Sequence, residues 1–196
     1  MQKRDLQLSV AATILVALFL IPTLINTGLL GKLPFSPLLL FLIIPILGIS
    51  GLFVASLIGK KISLLWQFGK FAAVGFLNTA IDFGILNFLI ALTGVSKGVG
   101  IIPINTTSFS IALVNSYFWN KEWVFPGRKQ ANFALFVAVT LIGLSINSGI
   151  VYVLTTYISP IVVESDKLWA NLAKVLATAI SLFWNFAGYK LIVFKR

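Results

Sequence analysis

Two ionisable residues lie deep inside long apolar segments of this sequence, where a charge is costly. Asp82 lies twelve residues after Lys70, and Lys174 lies sixteen residues before Lys190. At 1.5 Å per helical residue, Asp82 is about 18 Å and Lys174 about 24 Å from the same predicted membrane surface. A lysine side chain spans that difference, so the two can form an ion pair. Such a pair either locks two helices or guides a polar substrate, and both uses stay open.

Amide side chains extend this polar interior. Asn78 lies one helical turn before Asp82, and Asn147 lies at a similar predicted depth in a later segment. Asn115 and Asn185 lie in two further apolar segments. Amides can bind sugar hydroxyls, but they equally form hydrogen bonds between membrane helices. We therefore treat these residues as a candidate path for a polar headgroup, with helix packing as the alternative.

Three lysines lie where apolar segments meet one predicted membrane surface. Lys121 and Lys190 occur near the ends of two segments, each followed closely by Val-Phe, and Lys70 begins another segment. A collar of cations at this level can bind a lipid phosphate, at about 1 kcal/mol for each charge near anionic headgroups. The alternative is that these lysines only follow the positive-inside rule and extend to the surface.

A repeat shows which elements must position these residues. A shift of 69 residues without a gap aligns residues 77–83 with 146–152 and residues 117–125 with 186–194. Similarity at a fixed period indicates a duplicated structural unit. Each copy holds two apolar segments, so both copies enter the membrane from the same side. We expect parallel repeats that form a four-helix bundle.

The composition is that of an all-α integral membrane protein. Hydrophobic residues make up 59% of the 196 residues and charged residues 10%, whereas soluble domains have about a quarter charged. Six windows reach the roughly 20 apolar residues that a membrane helix needs. They are residues 7–27, 36–58, 70–92, 103–124, 132–157 and 168–190.

The same composition excludes several kinds of chemistry. The chain has no cysteine or histidine and only five carboxylates, so metal, haem and thiol chemistry are not expected. The carboxylates are scattered and form no catalytic set, and no phosphate-binding glycine loop is present. We expect no cofactor and no enzymatic activity.

The charges sort by predicted membrane side, which explains the net charge of +10 without nucleic acid as a partner. Eleven cations fall at the N-terminus, the C-terminus and two connecting regions, against three in the remaining connections. By the positive-inside rule both termini are cytoplasmic. The eleven are Lys3, Arg4, Lys60, Lys61, Lys70, Lys121, Arg128, Lys129, Lys190, Lys195 and Arg196, and the three are Lys32, Lys97 and Lys167.

The chain divides into three predicted parts. Residues 1–60 form a two-helix extension, residues 61–69 an interfacial helix or simple linker, and residues 70–196 the repeated four-helix domain. In the extension, Gly51, Ala55 and Gly59 repeat at four-residue spacing, which permits close approach of another helix. The role of the two extra helices stays open.

Residues 66–196 resemble the GtrA-like family of small bacterial membrane proteins. The resemblance rests on the segment from Phe71 to Asp82, on residues 115–125 and on residues 185–194. It implies a multi-pass protein of the bacterial cytoplasmic membrane that translocates polyprenyl-phosphate-linked sugars for cell-surface polysaccharide. Independently of the resemblance, the surface lysines predict contact with anionic lipids, and a glycosyltransferase and a second copy of the chain are candidate partners.

Two other functions compete with translocation. The protein could be a membrane anchor or accessory subunit of a glycosyltransferase that moves nothing. It could also be a small proton-coupled exporter, because a lone membrane carboxylate suits proton exchange. Lys174 opposes the exporter hypothesis, because a fixed cation repels cationic substrates.

Overall fold

The computed structural model describes residues 1–95, 101–127, 132–158 and 166–195, and all regular structure within these ranges is helical. Six α-helices follow one another, with two short 3₁₀ turns between the first and second. The helices are α1 (Lys3–Asn26), α2 (Leu40–Ile58), α3 (Ser63–Thr93), α4 (Ile101–Trp119), α5 (Phe133–Tyr157) and α6 (Asp166–Gly188).

Three helical segments in the described part of the chain are long and apolar enough to cross a membrane. These are Lys3–Asn26, Pro37–Ile58 and Ser63–Thr93, with mean hydropathies of 2.5, 2.7 and 1.6. Shorter apolar helical stretches cover Phe133–Ile146 and Ala179–Val193. The chain is thus an all-helical membrane protein, and the count of six spans stays a prediction.

The third helix begins earlier than the sequence predicts. Residues 63–69, assigned above to an interfacial segment, are the first two turns of α3, which continues without a break to Thr93. Helix α2 packs against this start, because a Cβ atom on Gly69 would lie 2.9 Å from the Cβ atom of Ala55. The packing of α2 therefore places these residues in the bundle. At its other end α3 stops at Gly94, whose φ of 71° favours glycine.

The chain forms two compact units, Met1–Pro126 and Gly127–Arg196. This division differs from the predicted one, because α1 and α2 pack with α3 and α4 in the first unit. Glycines allow the close approaches: a Cβ atom on Gly84 would collide with the carbonyl oxygen of Phe19, and one on Gly48 would collide with the side chain of Thr13. The predicted two-helix extension is thus an integral part of the first unit.

The second unit consists of α5, α6 and the turn that follows α6. The Phe136 and Tyr189 rings stack with centroids 4.4 Å apart, and the Tyr189 hydroxyl lies 2.6 Å from Thr140 Oγ1. Gly188 lets α6 approach α5, because its missing Cβ atom would lie 2.5 Å from Val139. Aromatic stacking and one close glycine contact therefore fix the end of α6 against α5.

Each unit ends with the same local structure. Helix α4 continues into a π-helical turn over Asn120–Val124, and α6 continues into one over Tyr189–Val193. Both turns are closed by a backbone bond to the fifth preceding residue, from Phe125 to Asn120 at 2.8 Å and from Phe194 to Tyr189 at 2.7 Å. The two turns are 69 residues apart, which is the offset of the sequence repeat. π-Helical turns are rare, so this agreement adds to the evidence of duplication, while the parallel arrangement stays a prediction.

Candidate functional site

The first element of the site is a buried ion pair at one end of unit 1. Lys70 Nζ lies 3.7 Å from Asp5 Oδ1, and these side chains are only 10% and 13% exposed. Asp5 Oδ1 also accepts a hydrogen bond of 2.9 Å from Trp123 Nε1. We call this end of the unit the charged end. Three segments meet there, and each has a predicted cytoplasmic location. They are the start of α1, the start of α3 and the turn after α4.

The π-helical turn explains why polar side chains gather at the charged end. The last carbonyl groups of a helix have no partner within it. Here three successive carbonyl oxygens accept bonds from side chains: Glu122 from Arg4 at 2.8 Å, Trp123 from Lys70 at 2.9 Å, and Val124 from Gln67 at 3.0 Å. Cations at a helix C-terminus also interact favourably with the negative end of the helix dipole. The first turn of α1 and the start of α3 thus cap α4.

A second, weaker ion pair lies at the rim of the charged end. Arg4 lies 3.8 Å from a Glu122 carboxylate oxygen, and these side chains are 61% and 65% exposed. Beside both pairs is a cavity of about 520 Å³. Arg4, Lys60 and Lys70 line it together with the two carboxylates. The cavity can accept an anion, because its cations outnumber its carboxylates.

The second element of the site is a polar ladder between α3 and α4. Ser108 Oγ donates a 2.7 Å hydrogen bond to Asp82 Oδ1. About one turn away, Asn115 Nδ2 donates a 2.8 Å bond to Asn78 Oδ1. The structure therefore brings together three of the predicted path residues and adds Ser108, which is fully buried. Interhelical hydrogen bonds of this kind join helices in an apolar medium.

Two of the collar lysines have equivalent surroundings within their own units. Lys121 Nζ lies 6.0 Å from the centroid of the Tyr117 ring, and Lys190 Nζ lies 5.9 Å from that of Phe186. Both rings precede their lysine by four residues, so each cation extends over the last turn of its helix. Lys70 also lies over the ring four residues before it, 5.3 Å from the centroid of Trp66, but Asp5 and the Trp123 carbonyl hold its ammonium group as well.

Other predicted residues stand apart from these contacts. In unit 2, a Cβ atom on Gly143 would collide with Asn185 Oδ1, so the glycine leaves room for this amide. Asn185 Oδ1 is buried without a hydrogen-bond partner. The side chains of Asn147 and Lys174 lie outside the described part of the structure. The predicted pair of Asp82 with Lys174 therefore stays a prediction.

The role of Asp5 is not predicted from the sequence. Asp5 is one of five scattered carboxylates there, yet in the structure it is the counter-ion of Lys70. One signal in the sequence indicates that Asp5 lies in a helix. An acidic residue in the first turn of a helix interacts favourably with the helix dipole, and Asp5 follows two basic residues at this helix start. The residues that the structure describes include no cluster of three or more metal-ligating side chains.

The residues of the ladder and all three collar lysines lie within the part of the chain that matches a known family. The sequence model described as GtrA/DPMS, transmembrane domain, matches residues 70–194, which is more than half of the chain. An uncharacterized membrane protein of Bacillus subtilis (strain 168), YngA, is 31% identical over 126 residues, which cover 64% of this chain and 78% of that protein. No solved structure matches.

Proposed function

Because the chain belongs to the GtrA/DPMS transmembrane-domain family, which indicates a part in handling polyprenyl-phosphate sugars, we propose that it moves such lipids across the bacterial cytoplasmic membrane. The substrate carries a charged phosphate and a polar sugar on a long apolar chain. A carrier must therefore offer cations at the membrane surface and polar groups within the membrane. The sugar would serve cell-surface polysaccharide.

The polar ladder between α3 and α4 is the observation that supports this proposal most. Asp82, Ser108, Asn78 and Asn115 place a carboxylate, a hydroxyl and two amides on adjoining turns of two mainly apolar helices. Polar residues at such a depth are costly and usually functional. We infer that the ladder bonds exchange for bonds to the sugar during passage, with Asn147, Lys174 and Asn185 as further contacts.

Lys121 and Lys190 are the proposed phosphate ligands of this domain. Each side chain lies over an aromatic ring at the end of its helix, where a phosphate in the leaflet can reach it. Lys70 contributes a positive potential and binds phosphate directly only if Asp5 moves. Changing both Lys121 and Lys190 to Gln should weaken polyprenyl-phosphate binding about 30-fold, at roughly 1 kcal/mol for each charge. The residual binding should depend less on salt.

The ladder is tested by transport in proteoliposomes that contain a fluorescent polyprenyl-phosphate hexose. Asp82→Asn and Ser108→Ala should slow the transfer between leaflets by about tenfold, a loss of one good hydrogen bond to a charged group. Lipid binding on the lysine side should remain. Ser110→Ala is the matched control, because Ser110 lies exposed on the same helix. Equal transfer rates in Ser108→Ala and Ser110→Ala would contradict a role of the ladder in passage.

The second candidate function is an anchor or accessory subunit of a glycosyltransferase. It is favoured by the fact that Asp82 already has a hydrogen-bond partner in Ser108, as expected of a purely structural lock. An anchor should leave transfer between leaflets at the rate of empty liposomes. The transfer rate of the wild-type protein therefore separates these two functions. A proton-coupled exporter would instead change the pH of the vesicle lumen when a cationic substrate is added.

A further inference from the structure

An apolar groove of about 400 Å³ lies between α1, α2 and α3 in unit 1. Its walls include Val16 of α1, Leu47 and Gly51 of α2, and Ala72 and Phe76 of α3. The remaining lining is apolar apart from Thr13. Because the Thr13 hydroxyl donates a 2.8 Å bond to the Ser9 carbonyl, it leaves no unpaired donor in the groove.

The glycine at the centre of the α2 wall has no packing role in the helix contacts. A Cβ atom on Gly51 would meet nothing within 4 Å, whereas one on Gly48 would collide with Thr13. Gly48 is therefore needed for the contact of α1 with α2, while Gly51 leaves open space in the groove. A chain of methylene or isoprene units fits such a space, because close contact with apolar walls gives it dispersion energy.

The groove adjoins the cavity at the charged end along the same three helices. On α2, Ala55 lines the groove and its neighbour Ser56 lines the cavity. On α3, Gly69 lines the groove and its neighbour Lys70 lines the cavity. Within the cavity, the carboxylates of Asp5 and Glu122 are already paired with Lys70 and Arg4. Lys60 makes no ion pair with any residue that the structure describes, and its charge is available to an incoming anion.

We propose that α1, α2 and the start of α3 form a second lipid site, which takes a single-chain lipid phosphate with its tail in the groove and its phosphate beside Lys60. This rests on the proposed function only for the identity of the lipid as a polyprenyl phosphate. Most of the lining residues precede the family domain, which begins at residue 70, and the start of that domain supplies the α3 wall. The site gives the two extra helices a role: they hold a lipid beside Lys70, the first residue of the family domain.

The dimensions and charge of the site favour this occupant over a two-chain phospholipid. The groove volume is at the low end of the range for pockets that enclose one drug-sized ligand, so it accommodates one chain. The cavity lining has three cationic side chains and two carboxylates, so a phosphate brings it closer to neutrality. An uncharged polyprenol would use only the groove, and inorganic phosphate only the cavity.

The test is native mass spectrometry of the purified full chain with four probes: a polyprenyl phosphate, the polyprenol, phosphatidylglycerol and inorganic phosphate. We expect the polyprenyl phosphate to bind most tightly. Lys60→Gln should weaken its binding about fivefold, the equivalent of about 1 kcal/mol for one surface charge. Lys61→Gln is the matched control, because Lys61 is an exposed neighbour that does not line the cavity. It should change binding by less than about twofold.

The proposed position of the lipid tail is tested by the variant Gly51→Leu. Its side chain fills the groove, while its Cβ atom meets no neighbouring atom within 4 Å. We expect about tenfold weaker binding, which corresponds to about 1.4 kcal/mol and hence to roughly ten lost carbon contacts. Leu57→Phe adds bulk to an exposed position of α2 that lines neither site and should have no effect. Thermal unfolding of each variant checks that the fold is retained.

The outcomes separate this proposal from the transport function. Unchanged binding in both Lys60→Gln and Gly51→Leu, with transport intact, would overturn the second site and leave the proposed function in place. Weakened binding in both variants, with no transport by the wild type, would support the site and reject the transport function. Tighter binding of phosphatidylglycerol than of polyprenyl phosphate would overturn the proposed occupant, as would equal losses in Lys60→Gln and Lys61→Gln.

Discussion

Replacing Asp5 by Asn should destabilise the protein far more than its place near the N-terminus suggests. The change leaves Lys70 with a buried charge, because the ammonium group loses its counter-ion at 3.7 Å and retains the Trp123 carbonyl at 2.9 Å. Removing one partner of a buried pair typically costs 3–5 kcal/mol. The remaining carbonyl bond and the position near the membrane surface place this case at about 3 kcal/mol.

The matched control is a carboxylate at the same charged end of unit 1. Glu122→Gln is the same change of a carboxylate to an amide, but its partner Arg4 is 61% exposed, so the loss should be about 0–1 kcal/mol. For a chain of this length, 1 kcal/mol shifts Tm by about 2–4 °C. We therefore expect a fall of roughly 6–12 °C for Asp5→Asn and at most about 4 °C for Glu122→Gln.

The assay is thermal unfolding of the purified protein in one detergent, followed by intrinsic tryptophan fluorescence. A double variant Asp5→Asn with Lys70→Met should recover at least half of the lost stability, because no unpaired charge then remains buried. Equal Tm shifts for Asp5→Asn and Glu122→Gln would refute the argument. So would a double variant less stable than Asp5→Asn, since Lys70 would then contribute through contacts other than the ion pair.

Two further predictions concern packing and topology. Gly84→Ala should lower the free energy of unfolding, measured with a chemical denaturant, by about 1–3 kcal/mol, because the new Cβ atom meets the Phe19 backbone. Gly51→Ala has open space around it and should be neutral or stabilising by up to about 1 kcal/mol. A loss of stability in both variants would contradict the assigned packing. In intact cells, a cysteine at the exposed Ser36 should react with an impermeant thiol reagent, whereas one at the exposed Gln2 should not, and labelling of the Gln2 variant would reverse the predicted orientation.

The positions of the helices follow from the sequence because they depend on local hydrophobicity. The window 7–27 corresponds to α1 at Lys3–Asn26, and the window 132–157 corresponds to α5 at Phe133–Tyr157. The errors lie at helix starts that tertiary contacts extend. Helix α1 begins earlier because Arg4 and Asp5 bond to the turn after α4. Hydrophobicity alone cannot predict these polar first turns.

The partners of the polar residues could not be predicted in the same way. Depth alone places Asp82 within reach of Lys174, a pair that stays a prediction, but depth leaves the rotation of each helix about its axis undetermined. In the structure Asp82 accepts a bond from Ser108 of the neighbouring helix. Lys70 and Asp5 are 65 residues apart in the chain, and nothing in their local sequences indicates that they pair. Such contacts depend on which helices are neighbours, which only the fold determines.

The π-helical turns connect the repeat to both proposed sites. A wide turn ends α4 at Asn120–Val124 and another ends α6 at Tyr189–Val193, each with a lysine as its second residue. In unit 1, side chains from α1 and α3 occupy the free carbonyls of the turn, and this builds the cavity beside Lys60. Both turns thus carry a lysine at the equivalent position. Contacts from the added helix α1 make the first of these turns part of the cavity that the proposed second lipid site uses.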